Sequence, residues 1–450
     1  MQKKNLLKLT IALFAIIVSQ SAFAQYPSWA KKAVASIFKV TTFNPEGNEI
    51  GSATGFYIEE NEGIAPYFLF EGASRAIIVD AAGKELEVES MVSANDIYDI
   101  ARFRISGAKK TPLVVATTEQ PAEKDRVWMF TYAKKAVNGM QGDVEKAEKF
   151  RDDYYYFTLT FPAKETAVGS PVFNNNGEVV GMLQVGAAEY DKSNYAVSAA
   201  FAKSMKLNAF SINDKALRNI KIKTAIPDEE DQAFLFLTLA GSSAPADEFK
   251  SIVNDFINKF PKSADGYAAL ARAYTDEHNY EEAQKEYEHA FSISPQQIYK
   301  NQESKMFISK AVWLLEQEKY RDAVFAFNNA EELLVDTLDA EFYFAREQAE
   351  VRCRMYQQAL NDLDSAIVKA RKKEIYYAEK ARVHYVVSQF DEGIKLAETC
   401  IGIAPNYDVA HLILGLCYIG KGDKEKGLES IRTAQELGNE QAAALIEKYK

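Results

Sequence analysis

The sequence predicts a two-part fold in which a β-rich domain, built as an antiparallel barrel or sandwich, precedes an all-α array of helical repeats. Short strand-like runs separated by turn residues fill positions 31–207. Helical periodicity replaces them from about Asp228, and a repeat pattern follows it. A length of 450 residues, with 47% hydrophobic and 26% charged residues, indicates a folded chain of two or three domains.

Eight runs rich in β-branched and aromatic residues predict the strands of the first part. Their short length, near-regular spacing and intervening turn residues are typical of antiparallel β-domains. The runs are Ala33–Phe43, Gly51–Ile58, Arg75–Val79, Glu85–Val92, Asp99–Ile105, Arg126–Tyr132, Tyr154–Phe161 and Glu178–Val185.

The first 24 residues have the layout of a secretory signal peptide. Lys3 and Lys4 precede an apolar stretch from Ile11 to Val18, and small residues at Ala22 and Ala24 suit a signal peptidase. The apolar run is shorter than the ~20 residues that a membrane-spanning helix needs. We therefore expect an exported mature chain, periplasmic or extracellular, without a membrane span.

The helical half contains a unit that resembles the tetratricopeptide repeat. Eight residues occupy the positions at which that family places small or large apolar side chains in a frame of about 34 residues. They are Tyr267, Leu270, Ala271, Tyr274, Ala283, Tyr287, Ala290 and Pro295. The small residue at the helix crossing recurs as Ala323, Ala359, Gly393 and Gly427. The resemblance implies stacked helical hairpins with one continuous core.

These patterns define the expected domain boundaries. We predict a signal peptide at 1–24, the β-domain at 25–210, a linker at 211–228 and the repeat domain at 229–450. The repeat domain is expected to open with a degenerate hairpin, at 231–240 and 246–260, and to end with a capping helix at 440–449. Glu347 and Glu350 occupy core positions of the third repeat, which leaves its register open.

Repeats of this kind bind peptides or partner surfaces along the face lined by their first helices, so the resemblance implies a protein or peptide partner. The residues at the corresponding positions are Lys305, Ile308, Val312, Leu315, Phe344, Arg382, Tyr385, Leu412, Leu416 and Ile419. Much of this candidate groove is apolar and needs cover. Either a client protein or the chain's own β-domain could cover these apolar residues, and the sequence favours neither.

Charge and motif content exclude several classes of function. Residues 25–226 carry 24 basic and 25 acidic side chains, whereas 227–450 carry 26 and 39, so nucleic-acid binding is not expected. The chain contains no C-x-x-C, H-x-x-x-H, H-E-x-x-H, P-loop or G-x-G-x-x-G pattern. We therefore expect no metal and no cofactor.

Three segments of the first half resemble the landmarks of trypsin-like serine proteases, in the order of that family. Gly51–Ile58 leads into Ala65–Ala73, which is similar to the segment that carries the family's histidine. Asp96–Phe103 resembles the strand that carries its aspartate, and Gly169–Phe173 resembles the end of the nucleophile loop. The resemblance covers nearly all of residues 31–205 and implies a chymotrypsin-like double β-barrel.

The same resemblance indicates that the catalytic groups are missing. Phe68 occupies the place of the histidine, Asp99 retains the aspartate, and Val168 stands where the serine nucleophile belongs. A serine hydroxyl needs an adjacent base, and all four histidines of the chain lie beyond residue 277. A dyad of Ser170 with Lys164 has no motif to support it.

We therefore expect no catalytic residue and interpret the chain as an exported, non-catalytic relative of serine endopeptidases that acts as a protein-binding scaffold or adaptor. The alternatives are an active endopeptidase with non-standard catalytic residues and a structural component whose groove packs on the barrel. Asp99 is expected to be partly exposed or hydrogen-bonded, because a buried carboxylate without partners is costly.

Overall fold

The computed structural model divides the chain into two units, after Ala244. It describes residues 26–118, 120–149, 154–161, 165–185, 194–334 and 338–450. The predicted signal peptide and Lys164 lie outside the described residues. Each unit has hydrophobic core clusters of its own.

The first unit begins with a closed barrel of six antiparallel strands in the order β1-β2-β3-β6-β5-β4. A ring cluster fills it, with Phe38 lying 4.9 Å from Tyr57 and 6.1 Å from Phe103 between ring centroids, all three fully buried. The strands are β1 (Ile37–Phe43), β2 (Glu49–Tyr57), β3 (Glu62–Ala65), β4 (Arg75–Asp80), β5 (Glu85–Asn95) and β6 (Ile100–Ile105).

A second closed antiparallel barrel follows, in the order β10-β11-β12-β9-β8-β7. Val127, Met129, Phe157 and Leu183 belong to its core. The strands are β7 (Arg126–Thr131), β8 (Asn138–Lys149), β9 (Tyr155–Leu159), β10 (Pro171–Phe173), β11 (Val179–Val185) and β12 (Asn194–Ser198). The double barrel expected from the resemblance is confirmed.

Strand prediction fails where a strand is very short or polar. β3 and β10 have four and three residues, too few to show a period. In β8 only Val144 is buried, and the strand is held by pairing with β7 on one side and β9 on the other. Residues 30–36, predicted in part as strand, form helix α1 (Ala30–Ala33) and a 3₁₀ turn at Val34–Ser36.

Residues 211–228 are not a free linker, which corrects the sequence prediction. Leu217, Ile220 and Ile222 are buried in the core of the first barrel. The Ile222 N–H donates to the carbonyl of Ala73 at 3.0 Å, and the Met91 N–H donates to the carbonyl of Lys223 at 2.8 Å. The segment contains the end of a 3₁₀ helix at Ala209–Asn213 and helix α3 (Lys215–Arg218), which follows helix α2 (Ala199–Ser204).

The next helix, α4 (Glu230–Ser243), also falls in the first unit, although the sequence pattern groups it with the repeats. It packs against the 3₁₀ helix at Ala209–Asn213, where Gln232 accepts a hydrogen bond from the Ala209 N–H at 3.2 Å. The second unit begins at Pro245, so the predicted start of the repeat domain at residue 229 is sixteen residues too early. Sequence periodicity does not reveal that α4 contacts residues 209–213 of the first unit.

The second unit is a run of antiparallel helices. They are α5 (Ala246–Lys259), α6 (Ala264–Asp276), α7 (Tyr280–Ile293), α8 (Gln297–Glu316), α9 (Tyr320–Leu333), α10 (Ala340–Arg352), α11 (Tyr356–Lys369), α12 (Glu374–Val386), α13 (Phe390–Ile403), α14 (Asp408–Lys421), α15 (Lys424–Glu436) and α16 (Ala442–Tyr449). No helix in the described ranges is both long and apolar enough to cross a membrane.

The five repeat hairpins run from α6/α7 to α14/α15, and α16 caps the last one. Four predicted crossing residues, Ala283, Ala323, Ala359 and Gly393, are buried within the second helices of their hairpins. A Cβ on Gly393 would lie 2.7 Å from the sulfur of Cys417. The crossing positions are therefore small because the next helix leaves no room there.

Candidate binding cleft and repeat groove

Phe68 lies in a 3₁₀ turn at Tyr67–Leu69, which follows β3 and Pro66. Tyr67 and Leu69 on either side are 5% and 2% exposed, whereas the Phe68 side chain is 51% exposed. Its neighbours anchor the turn in the first barrel, and its own ring faces solvent. The place where the resemblance puts a proton acceptor thus holds an exposed hydrocarbon ring.

Asp99 is tied to the same turn. The Phe68 N–H donates to Oδ1 of Asp99 at 2.9 Å, and the Tyr67 N–H donates to the Asp99 backbone carbonyl at 3.2 Å. Burial raises the pKa of this carboxyl to about 6, although the N–H groups of Phe68 and Tyr67 act in the opposite direction. The prediction that Asp99 is hydrogen-bonded is confirmed.

Val168 belongs to a turn of the second barrel that lies against β2 of the first. Its carbonyl accepts a hydrogen bond from the Thr54 N–H at 3.0 Å. Gly169 has φ of +82°, and a Cβ there would lie 2.0 Å from the Thr54 carbonyl oxygen and 2.8 Å from Pro66. Only glycine permits both this backbone conformation and this close approach.

Ser170, two residues after the nucleophile position, is fully buried. Within the described part of the chain its Oγ has no hydrogen-bond partner. A hydroxyl needs a base within hydrogen-bond reach to become a nucleophile. Of Phe68, Asp99, Val168 and Ser170, two side chains are apolar, Asp99 carries a carboxyl group, and the Ser170 hydroxyl forms no hydrogen bond to it or to any other described group.

In the repeat groove, the second-repeat residues on α8 differ in exposure. Lys305 is exposed and Val312 is 42% exposed. Ile308 and Leu315 are half-buried and pack against the core of the first two repeats. On this helix, Lys305 and Val312 are the predicted groove residues with free surface.

Leu412 is 5% exposed and belongs to a core cluster with Ile431, Ala442 and Ile446. Its prediction as a groove residue is therefore wrong: the last hairpin and the capping helix α16 cover this side of α14. Leu416 and Ile419 are partly buried against the same cluster.

The three predicted groove residues between these ends are all half-buried. The Phe344 ring lies 5.1 Å from that of Tyr376, and the Tyr385 ring lies 6.0 Å from that of Phe390. Arg382 pairs with Glu379 at 2.5 Å and approaches Glu347 at 3.9 Å. Arg382 is thus the charged member of this part of the groove, and its partners are acidic.

Sequence reasoning missed an ionic network on the first barrel. Glu62 on β3 accepts hydrogen bonds from Arg102 at 2.8 Å and from Arg104 at 3.2 Å, both on β6. Arg102 also donates to the carbonyl of Met205, and Arg104 donates to Asp228. These residues line a cavity of about 330 Å³. The alternation Arg-x-Arg on a strand was the available signal, since it places both side chains on one face.

Comparison with known proteins supports both halves of this description. Residues 53–182 match the family model of the trypsin-like peptidase domain. The first unit contains a trypsin-like peptidase domain. Residues 264–297, which span α6 and α7, match the model of the tetratricopeptide repeat. The trypsin-like domain thus precedes repeats of the predicted type.

Individual relatives cover parts of the chain. The small glutamine-rich tetratricopeptide repeat-containing protein 2 of Saccharomyces cerevisiae is 28% identical over 93 residues, which is 21% of this chain. The chain spans about a quarter (27%) of the length of that relative.

Two solved structures are each similar to a part of the chain. The Rv3671c protease of M. tuberculosis in its active form is 16% identical, with a TM-score of 0.35, and covers 40% of this chain and 82% of its own. YrrB, described as a tetratricopeptide repeat protein with an unusual peptide-binding site, is 17% identical, with a TM-score of 0.36. It covers 44% of this chain and 98% of its own.

The described residues contain no group of three or more His, Cys, Asp or Glu side chains placed to hold a metal ion.

Proposed function

We propose that this protein is an exported, non-catalytic relative of trypsin-like peptidases, in which the barrel cleft and the repeats bind protein partners as a scaffold or adaptor. One observation carries the proposal. Phe68 presents an exposed ring where the family's general base belongs, while its backbone N–H holds Asp99. A phenyl ring cannot accept the proton that a serine nucleophile must lose.

The opposite side of the cleft agrees with this interpretation. Val168 supplies a branched alkyl group, and the neighbouring Ser170 hydroxyl is buried. A cleft with Phe68 and Val168 at its centre would suit an extended peptide segment, held by backbone hydrogen bonds and side-chain contacts. The tetratricopeptide-type hairpins supply a second protein-binding surface, with Lys305 and Val312 exposed on α8.

Export is part of the proposal and rests on residues 1–24. Their basic start, apolar stretch and small residues before position 25 fit a cleaved signal peptide. Cleavage there would leave Gln25 at the amino terminus, next to Tyr26, whose hydroxyl donates to the carbonyl of Gly139 at 3.1 Å. The partners are then proteins of the periplasm or the extracellular space.

Covalent labelling tests the absence of peptidase activity. The mature chain, residues 25–450, is treated with a fluorophosphonate probe and assayed on casein beside active trypsin. We expect neither labelling nor cleavage, because the covalent route needs both a base and an accessible nucleophile. Near-ultraviolet circular dichroism establishes that the protein tested is folded.

The S170A variant is the matched control. Labelling and casein cleavage that are present in the wild-type chain and lost in S170A would overturn the proposal in favour of a non-standard endopeptidase. Activity that survives in S170A and does not co-purify with the protein comes from a contaminant.

A further inference from the structure

A cluster of buried charged side chains lies within the third and fourth hairpins of the repeat unit. It is centred on α10, whose Arg346, Glu347 and Glu350 are 7%, 0% and 4% exposed. Glu331 of α9, Asp362 of α11, and Glu379 and Arg382 of α12 face these three residues from the adjacent helices. Positions that are small or aromatic in the first repeat are thus acidic here.

Arg346 neutralises two of the carboxylates. Its Nε and Nη2 donate to the two oxygens of Asp362 at 2.7 and 2.8 Å, which is a bidentate pair. Its Nη1 donates to Glu331 at 2.5 Å and to the side-chain oxygen of Asn328 at 2.9 Å. The Arg346 guanidinium therefore donates its hydrogen bonds to Asp362, Glu331 and Asn328.

Arg382 forms its short contacts with Glu379. Its Nε and Nη2 lie 2.6 and 2.5 Å from Oε2 of Glu379. The distance from Nη2 of Arg382 to Oε1 of Glu347 is 3.9 Å, which is beyond hydrogen-bond range. The two arginines therefore form their short contacts with Glu331, Asp362 and Glu379.

Glu347 and Glu350 form none of these short contacts with the two arginines. Among the described residues, neither oxygen of Glu347 has a hydrogen-bond partner, and Oε2 of Glu350 has none. Five carboxyl groups share two guanidinium groups in this cluster, so ionisation of all five would leave the buried Glu347 and Glu350 as uncompensated negative charges. The cost of a desolvated charge far exceeds the cost of keeping a proton near neutral pH.

Electrostatics point in the same direction. Burial raises the pKa of Glu347 to about 8, and the charge of Glu379 adds to this effect against that of Arg382. Burial likewise raises the pKa of Glu350 to about 8, with Asp362 adding to it and Arg346 opposing it. Both side chains are thus neutral acids at pH 7.

We propose that Glu347 and Glu350 are a proton-loaded pair through which pH controls the stability of the third and fourth hairpins. In the unfolded chain both groups lose their protons near pH 4.5. In the folded chain they keep them to about pH 8. Folding is favoured by these groups below pH 4.5, and that advantage is lost progressively as the pH rises to about 8.

The pH dependence of unfolding tests this directly. Urea unfolding of the full mature chain is followed by circular dichroism at 222 nm between pH 5.5 and 8, for the wild type and for E347Q/E350Q. For each proton that only the folded chain holds, the equilibrium constant for unfolding rises about tenfold per pH unit in this window. We expect this rise in the wild type and its loss in the double variant, which carries neutral amides of the same size.

The difference between the two proteins is the quantity to compare, because it isolates the contribution of Glu347 and Glu350 from that of the other ionisable groups. E425Q/E429Q, which changes two exposed glutamates of α15, is the matched control and is expected to follow the wild type. Identical pH dependence in the wild type and E347Q/E350Q would overturn the proposal.

Infrared spectroscopy of the wild-type chain keeps the proposal testable if E347Q/E350Q does not fold. Protonated carboxylic acids have a carbonyl stretch that is separate from the bands of carboxylates. We expect this band to persist at pH 7 and to disappear as the pH rises past about 8. Its disappearance below pH 6 would show that both groups ionise normally and would refute the proposal.

Discussion

At the scale of the residue, Asp99 has its hydrogen-bond donor in the backbone of the turn that carries Phe68. The backbone of Phe68 retains a hydrogen bond to the Asp99 carboxylate at 2.9 Å. The carboxylate therefore has a hydrogen-bond donor without an imidazole, which offsets part of the cost of burying its charge. Burial still raises its pKa to about 6. A phenyl ring at position 68 is compatible with a hydrogen-bonded Asp99, because the donor is the backbone N–H.

At Gly169 we predict a large cost for one added methyl group. G169A places a Cβ 2.0 Å from the Thr54 carbonyl oxygen at a φ of +82°. Left-handed backbone strain of about 1–3 kcal/mol and overpacking of about 1–3 kcal/mol add up to at least about 2 kcal/mol. Urea unfolding measured by the fluorescence of Trp29 and Trp128, both in the first unit, checks this value.

G72A is the matched control for that substitution. Gly72 has a φ of +74°, and a Cβ there would meet nothing within 4 Å. We expect this variant to show the backbone strain alone. Equal losses of stability in G169A and G72A would mean that the contact between the barrels at Thr54 is not tight.

At the scale of elements, the repeats illustrate how small residues set helix spacing. In the last hairpin, a Cβ on Gly415 of α14 would lie 2.7 Å from the Gly427 carbonyl oxygen, and one on Gly427 of α15 would lie 2.4 Å from Ile419. Two glycines facing each other bring these helices into closer contact than alanines would allow. The small residues at these two repeat positions are the sequence signal of this helix contact.

The bidentate pair between α10 and α11 leads to a second stability prediction. R346M leaves Asp362 buried without its partner, and the loss of one member of a buried ion pair typically costs about 3–5 kcal/mol. We expect a loss of this size in the free energy of unfolding of the repeat unit, measured by urea titration at 222 nm.

The double variant R346M/D362L separates the charge effect from packing. Buried ion pairs can be replaced by apolar residues of similar volume at little cost. Glu331, the other partner of Arg346, is 43% exposed and stays solvated. Stability should therefore return to within about 1–2 kcal/mol of the wild type. A double variant as unstable as R346M would show that shape matters more than charge.

At the scale of the whole molecule, the proposed adaptor role requires that the mature chain bind a client through its repeats. V312E introduces a charge at an exposed valine of α8 on the predicted groove. For a client captured from envelope extract by residues 25–450 and then purified, we expect V312E to weaken the affinity at least about tenfold, or ~1.4 kcal/mol. Biolayer interferometry measures the change.

V368E serves as the control, because Val368 is a 66%-exposed valine on α11, a second helix that the groove prediction does not include. Equal weakening by V312E and V368E would place the client elsewhere. No weakening by either variant would favour the barrel cleft, or a purely structural role of the repeats.

The sequence by itself determined the double barrel, the repeat type and the places of Phe68, Asp99 and Val168. Each of these rests on local or periodic information, such as the small residue that recurs at helix crossings or the order of three short motifs. The second helices begin at Tyr280, Tyr320 and Tyr356, three residues before those small residues.

Only the tertiary structure decided the contacts between residues that are distant in the chain. It joined residues 211–228 and α4 to the first unit, moved Leu412 from the groove to the core, and brought Glu347 beside Glu379 and Arg382. Burial and charge pairing depend on neighbours that no sequence period specifies. The double barrel and the repeats could therefore be predicted from the sequence, whereas the burial of Glu347 and Glu350 without hydrogen-bond partners could not.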